Sequence, residues 1–188
     1  MKMTSGSHRI LTDKEYVALR EAARKLPLDA TSFQVWKHIR DELLIRLLYE
    51  TTASVGELLG VRVEDLYLDT DSFILPDSDD RAKSKRHKAD REVRFAYFSK
   101  NSRHLIIQYI AGRKRGFLIM NNREEKMSVR TAERTVDNYA GKAGIQRTIG
   151  HTVDKDGKRR AVRFVTCRVL TEAGKRRPGP PSIVSVPA

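Results

Sequence analysis

The sequence predicts a mixed α/β domain that is mainly helical, with helices around a small antiparallel sheet of three strands. Three observations support this fold class. Apolar residues recur at helical spacing in the first and the last third of the chain, a turn and an alternating segment lie between them, and no pattern repeats. The chain has 188 residues, enough to bury a core of its own.

Three helices are predicted near the N-terminus. Thr12 and Glu15 have the spacing of a capping box, which indicates that a helix begins there and ends before Pro27. A second helix is predicted over residues 32–50, where leucines recur at helical spacing, and a short third helix over residues 54–59.

The sheet is predicted in the middle of the chain. A turn signal at 69–72 precedes a short strand at 73–75. Residues 77–90 are polar and charge-dense, which is typical of a loop. Residues 92–97 then alternate, with Val, Phe and Tyr between Glu, Arg and Ala, which indicates a half-buried strand.

Helices return in the last third. One is predicted over residues 101–113, and another begins at the N-cap Ser128 and is closed by Gly144. Residues 150–160 are interpreted as a polar loop, and residues 161–171 as an apolar segment that packs on the core.

These predictions divide the chain into a flexible N-terminus (1–10), one domain (11–173) and a basic tail (174–188). The tail holds four of the six prolines, so we expect it to be poorly ordered. A single cysteine excludes a disulfide framework, and the five scattered histidines give no metal-ligand spacing. No signal peptide or membrane span is recognisable, so a cytoplasmic protein is expected.

The charge distribution indicates a polyanionic partner. Residues 1–75 carry 10 Lys and Arg against 12 Asp and Glu, a net charge of −2, whereas residues 76–188 carry 27 against 12, a net charge of +15. We expect the partner to be duplex DNA rather than a membrane. RNA is a weaker alternative, because the few aromatic residues are not interleaved with the basic runs.

Two basic clusters are the candidate DNA contacts, since each cation can neutralise a phosphate. A solvated surface loop is the alternative interpretation of both. The candidate residues are Lys83, Lys85, Arg86, Lys88 and Arg91 in the first cluster, and Lys158, Arg159, Arg160 and Arg163 in the second.

The runs RDELL at 40–44, LLYET at 47–51 and VGELLGVRVEDL at 55–66 are distinctive. They resemble the opening of the catalytic domain of the tyrosine recombinases, the phage integrase family. The resemblance implies an integrase-like fold and a role in DNA integration and site-specific recombination. In that family a tyrosine attacks a DNA phosphodiester, two arginines neutralise the phosphate, and a lysine and histidines move protons. No metal or other cofactor is required.

The resemblance assigns catalytic positions to this chain, and several carry other residues. Ser54 stands where the family has its first arginine, and Glu57 matches the acidic residue that accompanies it. The hairpin lysine falls on Lys85, with Lys88 as the runner-up.

The second half of the catalytic set is also altered. Arg168 stands at the family's histidine position and Thr171 at its second arginine position. No tyrosine follows Tyr139, which is expected in the core like Cys167. The chain is therefore interpreted as a degenerate, C-terminally truncated member that binds DNA and does not cleave it by itself.

Three alternatives remain open at this point. The chain is a non-catalytic regulator or partner of a full-length integrase, it assembles with itself, or it is a strand-transferase completed by a partner's tyrosine. The last alternative would not restore arginines at Ser54 and Thr171.

Overall fold

The computed structural model describes residues 10–76, 92–176 and 183–187. Its helices are α1 (Asp13–Arg24), α2 (Ser32–Thr51), α3 (Val55–Gly60), α4 (Lys100–Ile110), α5 (Val129–Lys142) and α6 (Cys167–Gly174). Its strands are β1 (Leu66–Tyr67), β2 (Ser72–Leu75), β3 (Glu92–Tyr97), β4 (Thr148–Val153), β5 (Arg159–Arg163) and β6 (Ile183–Pro187). The predicted fold class, mainly helical with a small antiparallel sheet, is confirmed.

The helices begin where their capping residues predict. Thr12 and Glu15 form the expected reciprocal capping box of α1, and Thr31 and Gln34 form another at α2. Ser128 caps α5, and Gly144 follows it with a positive φ of 70°, which favours glycine.

Helix α2 is the centre of the core. Every residue from Arg40 to Tyr49 is buried, and α1, α4, α5 and α6 all pack against this helix. A helix that is buried on all sides shows no amphipathic stripe, and the leucines at 43, 44, 47 and 48 are fully enclosed.

The main sheet has one strand more than predicted. Its order is β1-β2-β3-β6, and all neighbouring strands are antiparallel. Strand β6 lies in the tail that was expected to be poorly ordered, so that expectation is wrong for residues 183–187. Its apolar residues Ile183 and Val184 pair with Ala96 and Phe95 of β3.

The strand β3 faces the core with a different set of residues than its alternation suggests. Ala96 and the following Phe98 are buried, whereas Tyr97 is exposed. The side that carries Val93 and Phe95 is only half-buried. Arg94 therefore lies on the face that turns towards the helices.

The prediction of a polar loop at residues 150–160 is wrong, because these residues form most of a β-hairpin. Strands β4 and β5 pair with each other in a separate two-stranded sheet. Their side chains are exposed on both faces, so the hairpin has no apolar alternation by which the sequence could reveal it. None of the helices in the described ranges is long and apolar enough to cross a bilayer.

Candidate nucleic-acid interface

Ser54 and Glu57 form the N-terminal cap of α3. The backbone N–H of Glu57 donates to Ser54 Oγ (3.3 Å), and the N–H of Ser54 donates to Glu57 Oε2 (2.9 Å). This reciprocal arrangement satisfies two amides that the helix leaves unpaired. Both side chains at the start of α3 are thus engaged with the backbone.

Thr171 lies beside this cap, on the other side of the α2–α3 junction. Its hydroxyl is within hydrogen-bonding distance of the carbonyl oxygens of Ala53 (3.2 Å) and Cys167 (3.1 Å), and it is 7% exposed. The structure therefore brings together positions 54 and 171, where the resemblance implies arginines. Both carry neutral hydroxyls. Arg168 lies in the first turn of α6 and is exposed.

Arg94 supplies a guanidinium close to this junction, although no pattern in the sequence marks it as a site residue. Its Nη1 and Nη2 donate to Glu57 Oε1 at 2.9 and 2.8 Å. The two side chains are 14% and 12% exposed. Burial alone would raise the pKa of Glu57, but hydrogen bonds from Ser54 and Arg94 outweigh it, so the pKa of this carboxyl lies below its ordinary value.

The first basic cluster lies outside the described residues. This concerns the lysine that the resemblance assigns to catalysis, Lys85, and its runner-up Lys88, together with Lys83, Arg86 and Arg91.

The second basic cluster lies on the β4–β5 hairpin. Arg160 Nε is 2.7 Å from Asp154 Oδ2, and Arg163 Nε is 3.5 Å from Asp137 Oδ1 on α5. The backbone amide of Lys158 and the guanidinium of Arg160 lower the pKa of Asp154. Among the described residues, no carboxylate lies within 4 Å of the charged groups of Lys158 and Arg159.

Two buried groups that could be mistaken for nucleophiles are parts of the core, as expected. Tyr139 is 4% exposed, and its hydroxyl donates to Asp41 Oδ2 at 3.3 Å. Burial and the neighbouring Asp41 raise the pKa of Tyr139. Cys167 is fully buried, and burial and Glu133 raise the pKa of its thiol. Neither group is available as an anion near neutral pH.

An open polar cavity of about 410 Å³ lies between α2, α5 and the turn that precedes α5. Its cationic lining consists of Lys37, Arg40, Arg123 and Arg134, against one carboxylate, Glu125. These residues are widely separated along the chain, so no local pattern predicts the cavity. Within the described ranges, no three His, Cys, Asp or Glu side chains are grouped as a metal site would require.

Comparison with known proteins matches one family model and several solved structures. The model of the phage integrase family matches residues 9–155. The crystal structure of XerA recombinase superposes with a TM-score of 0.63 at 21% identity, over 92% of this chain and 50% of that one. The crystal structure of a lambda integrase(75-356) dimer bound to a COC' core site superposes with a TM-score of 0.56 at 16% identity. The match covers 92% of this chain and 53% of that one. No significant match was found among curated proteins.

The identities are low enough that the two structures support the fold alone. The chain spans about half the length of each of them.

Proposed function

The chain belongs to the phage integrase family, and from that premise we propose that it binds duplex DNA in integration and site-specific recombination without cleaving DNA by itself. The observation that carries the proposal is the junction of α2, α3 and α6. Ser54 caps a helix there, and the hydroxyl of Thr171 contacts the carbonyl of Ala53. Neither side chain can present a cation to a phosphate.

DNA binding is supported by the charge distribution and by one relative. The net charge of +15 over residues 76–188 suits a polyanion. The lambda integrase neighbour is bound to a core site. We infer that the two basic clusters provide the contacts in this chain and that it acts in the cytoplasm, as a product of a mobile genetic element.

The absence of cleavage follows from the energetics of phosphoryl transfer. Each oxyanion donor that is lost costs roughly 100- to 1,000-fold in rate. Neither Lys85 nor Lys88 would compensate for the loss of two cationic donors at Ser54 and Thr171. Arg94 does not replace them either, because its charge is already paired with the carboxylate of Glu57.

The test is a suicide substrate, a nicked duplex from which a covalent protein–DNA adduct cannot religate. We expect the chain to retard mixed-sequence duplex DNA in a gel, with an affinity that falls steeply as salt rises, and to form no adduct that survives SDS. Lambda integrase with its COC' core site is the positive control for trapping. An SDS-stable adduct, or no retardation at low salt, would contradict the proposal.

A second candidate is a non-catalytic partner of a full-length integrase, or an assembly of the chain with itself. The dimeric state of the lambda integrase neighbour favours it. Sedimentation of the chain alone, and co-purification with an integrase expressed from the same DNA, would distinguish these assemblies from a monomeric DNA binder.

A further inference from the structure

The β4–β5 hairpin is a two-stranded sheet of its own, with side chains exposed on both faces. Its base is held by the side-chain amide of Gln146. The Nε2 group of Gln146 donates to the carbonyl oxygen of Val165 (2.8 Å), and the backbone N–H of Val165 donates to Gln146 Oε1 (2.9 Å). The N–H of Phe164 donates to the carbonyl of Arg147, whose guanidinium covers the Phe164 ring at 3.7 Å. These contacts fix the hairpin where it leaves the core.

The tip is fixed by its own turn. Asp154 Oδ1 accepts from the N–H groups of Asp156 and Lys158, at 3.1 and 2.8 Å, and Gly157 takes the positive φ of 74° that the turn requires. A two-stranded ribbon exposed on both faces is marginally stable in water, so these local bonds are needed to keep its shape.

The ribbon is basic, and it also exposes apolar side chains. Residues 147–163 carry six Lys and Arg against two Asp, a net charge of +4. Ile149 and Val153 are 50% and 64% exposed. A basic surface with exposed methyl groups suits a DNA groove, where phosphates line the edges and thymine methyl groups lie on the floor.

The two faces of the ribbon differ. Residues that pair directly across an antiparallel ladder share a face, which places the pairs Val153–Arg159 and His151–Ala161 on one side. The opposite side carries the pair Thr152–Arg160, and there Arg160 is bound to Asp154. The first face therefore offers an arginine that no carboxylate of the described residues neutralises.

We propose that the β4–β5 hairpin lies in the major groove of duplex DNA with the face of His151, Val153, Arg159 and Ala161 towards the bases. Arg159 contacts base edges, and Lys155 and Lys158 at the tip contact phosphates. A two-stranded ribbon fits the width of that groove, and an arginine can donate two hydrogen bonds to one guanine. This inference rests on the proposed DNA binding and adds which element reads sequence.

The test compares Arg159→Ala with Arg160→Ala. Both arginines are exposed and adjacent, and each substitution removes one positive charge. Duplexes retained by the unaltered chain are first selected from a pool with a randomised centre. We expect R159A to lose roughly 5- to 100-fold in affinity for the selected duplex but little for the starting pool. In R160A, the affinity for the selected duplex relative to that for the starting pool should be unchanged. Circular dichroism checks that both variants are folded.

The remaining outcomes separate this inference from the proposed function. Two results would overturn the groove assignment and leave DNA binding intact. One is an equal loss of affinity for the selected duplex in R159A and R160A, and the other is a randomised pool in which no sequence is enriched. If the unaltered chain retained no duplex, both proposals would fail. A dimer that R159A dissociates, with sequence preference unchanged, would assign the hairpin to a contact between protein copies and overturn the inference.

Discussion

Arg94 on β3 and Glu57 on α3 form an ion pair in which both terminal nitrogens of the guanidinium bind one carboxylate oxygen, at 2.8 and 2.9 Å. The same carboxylate uses its other oxygen to cap α3 at Ser54. Glu57 thus links the sheet to the helix cap. Because the pair is largely shielded from water, removing one partner leaves an uncompensated charge and costs more than breaking a surface salt bridge.

The first prediction concerns the stability that this link provides. Glu57→Gln leaves Arg94 without its counter-charge in a partly buried site, so we expect a loss of about 1–3 kcal/mol in the free energy of unfolding. The control is Glu64→Gln, which removes an exposed ion pair with Arg62 and should therefore cost less stability than Glu57→Gln. Urea denaturation measures both, and equal losses would contradict the argument.

The second prediction is the pH dependence of the same group. The pKa of Glu57 is lower in the folded than in the unfolded chain, so its contribution is present above the unfolded pKa and is lost as pH falls through the folded pKa. We therefore expect the stability difference between the unaltered chain and Glu57→Gln to shrink in acid. A difference that stayed constant down to the acid transition would show that the carboxylate's charge contributes nothing.

The third prediction concerns Thr171. Thr171→Val keeps the shape of the side chain but removes the hydroxyl that contacts the carbonyl of Ala53. Because that contact is buried, we expect a loss of about 1–2 kcal/mol in the free energy of unfolding, with DNA affinity unchanged. Thr152→Val on the exposed hairpin is the matched control for stability. If Thr171→Val bound DNA more weakly while fully folded, the hydroxyl would have a role in DNA contact.

The fourth prediction tests the assignment of Tyr139 to the core. Tyr139→Phe removes a buried hydrogen bond to Asp41 and should cost about 1 kcal/mol. The pKa of Tyr139 is raised in the folded state, so its contribution is present below the unfolded pKa and is lost as pH rises through the folded one. The variant should therefore lose less stability than the unaltered chain at strongly alkaline pH. A change in DNA binding at neutral pH would point to a role at the interface instead.

How far the sequence predicts this molecule depends on the range of the contacts involved. The caps at Thr12 and Ser128 are predictable because the side chain of an N-cap residue bonds to the backbone three residues further along the chain. Strand β6 is not predicted because the prolines beside it obscure five residues whose pairing partner, β3, is distant along the chain. Arg94 was missed because its partner is 37 residues away, and alternation alone could not show which face of β3 meets the helices.

The last prediction concerns the close approach of α6 to α2. At Gly174, the last residue of α6, a Cβ would overlap the backbone carbonyl of Tyr49, and Thr52 is also in contact. The carbonyl belongs to the buried central helix and cannot move aside easily. Gly174→Ala should therefore cost about 1–3 kcal/mol or more in the free energy of unfolding, although alanine favours a helix.

Gly141 in α5 is the matched control. Nothing lies within 4 Å of a Cβ built there, and its φ is not positive, so Gly141→Ala should stabilise the chain by about 0.4–1 kcal/mol. Thermal unfolding of the two variants gives opposite shifts if α6 is docked as described. Since the same docking holds Thr171 against Ala53, Gly174→Ala should also weaken the effect of Thr171→Val when the two are combined. Strictly additive losses would mean that the junction does not depend on the close contact at Gly174.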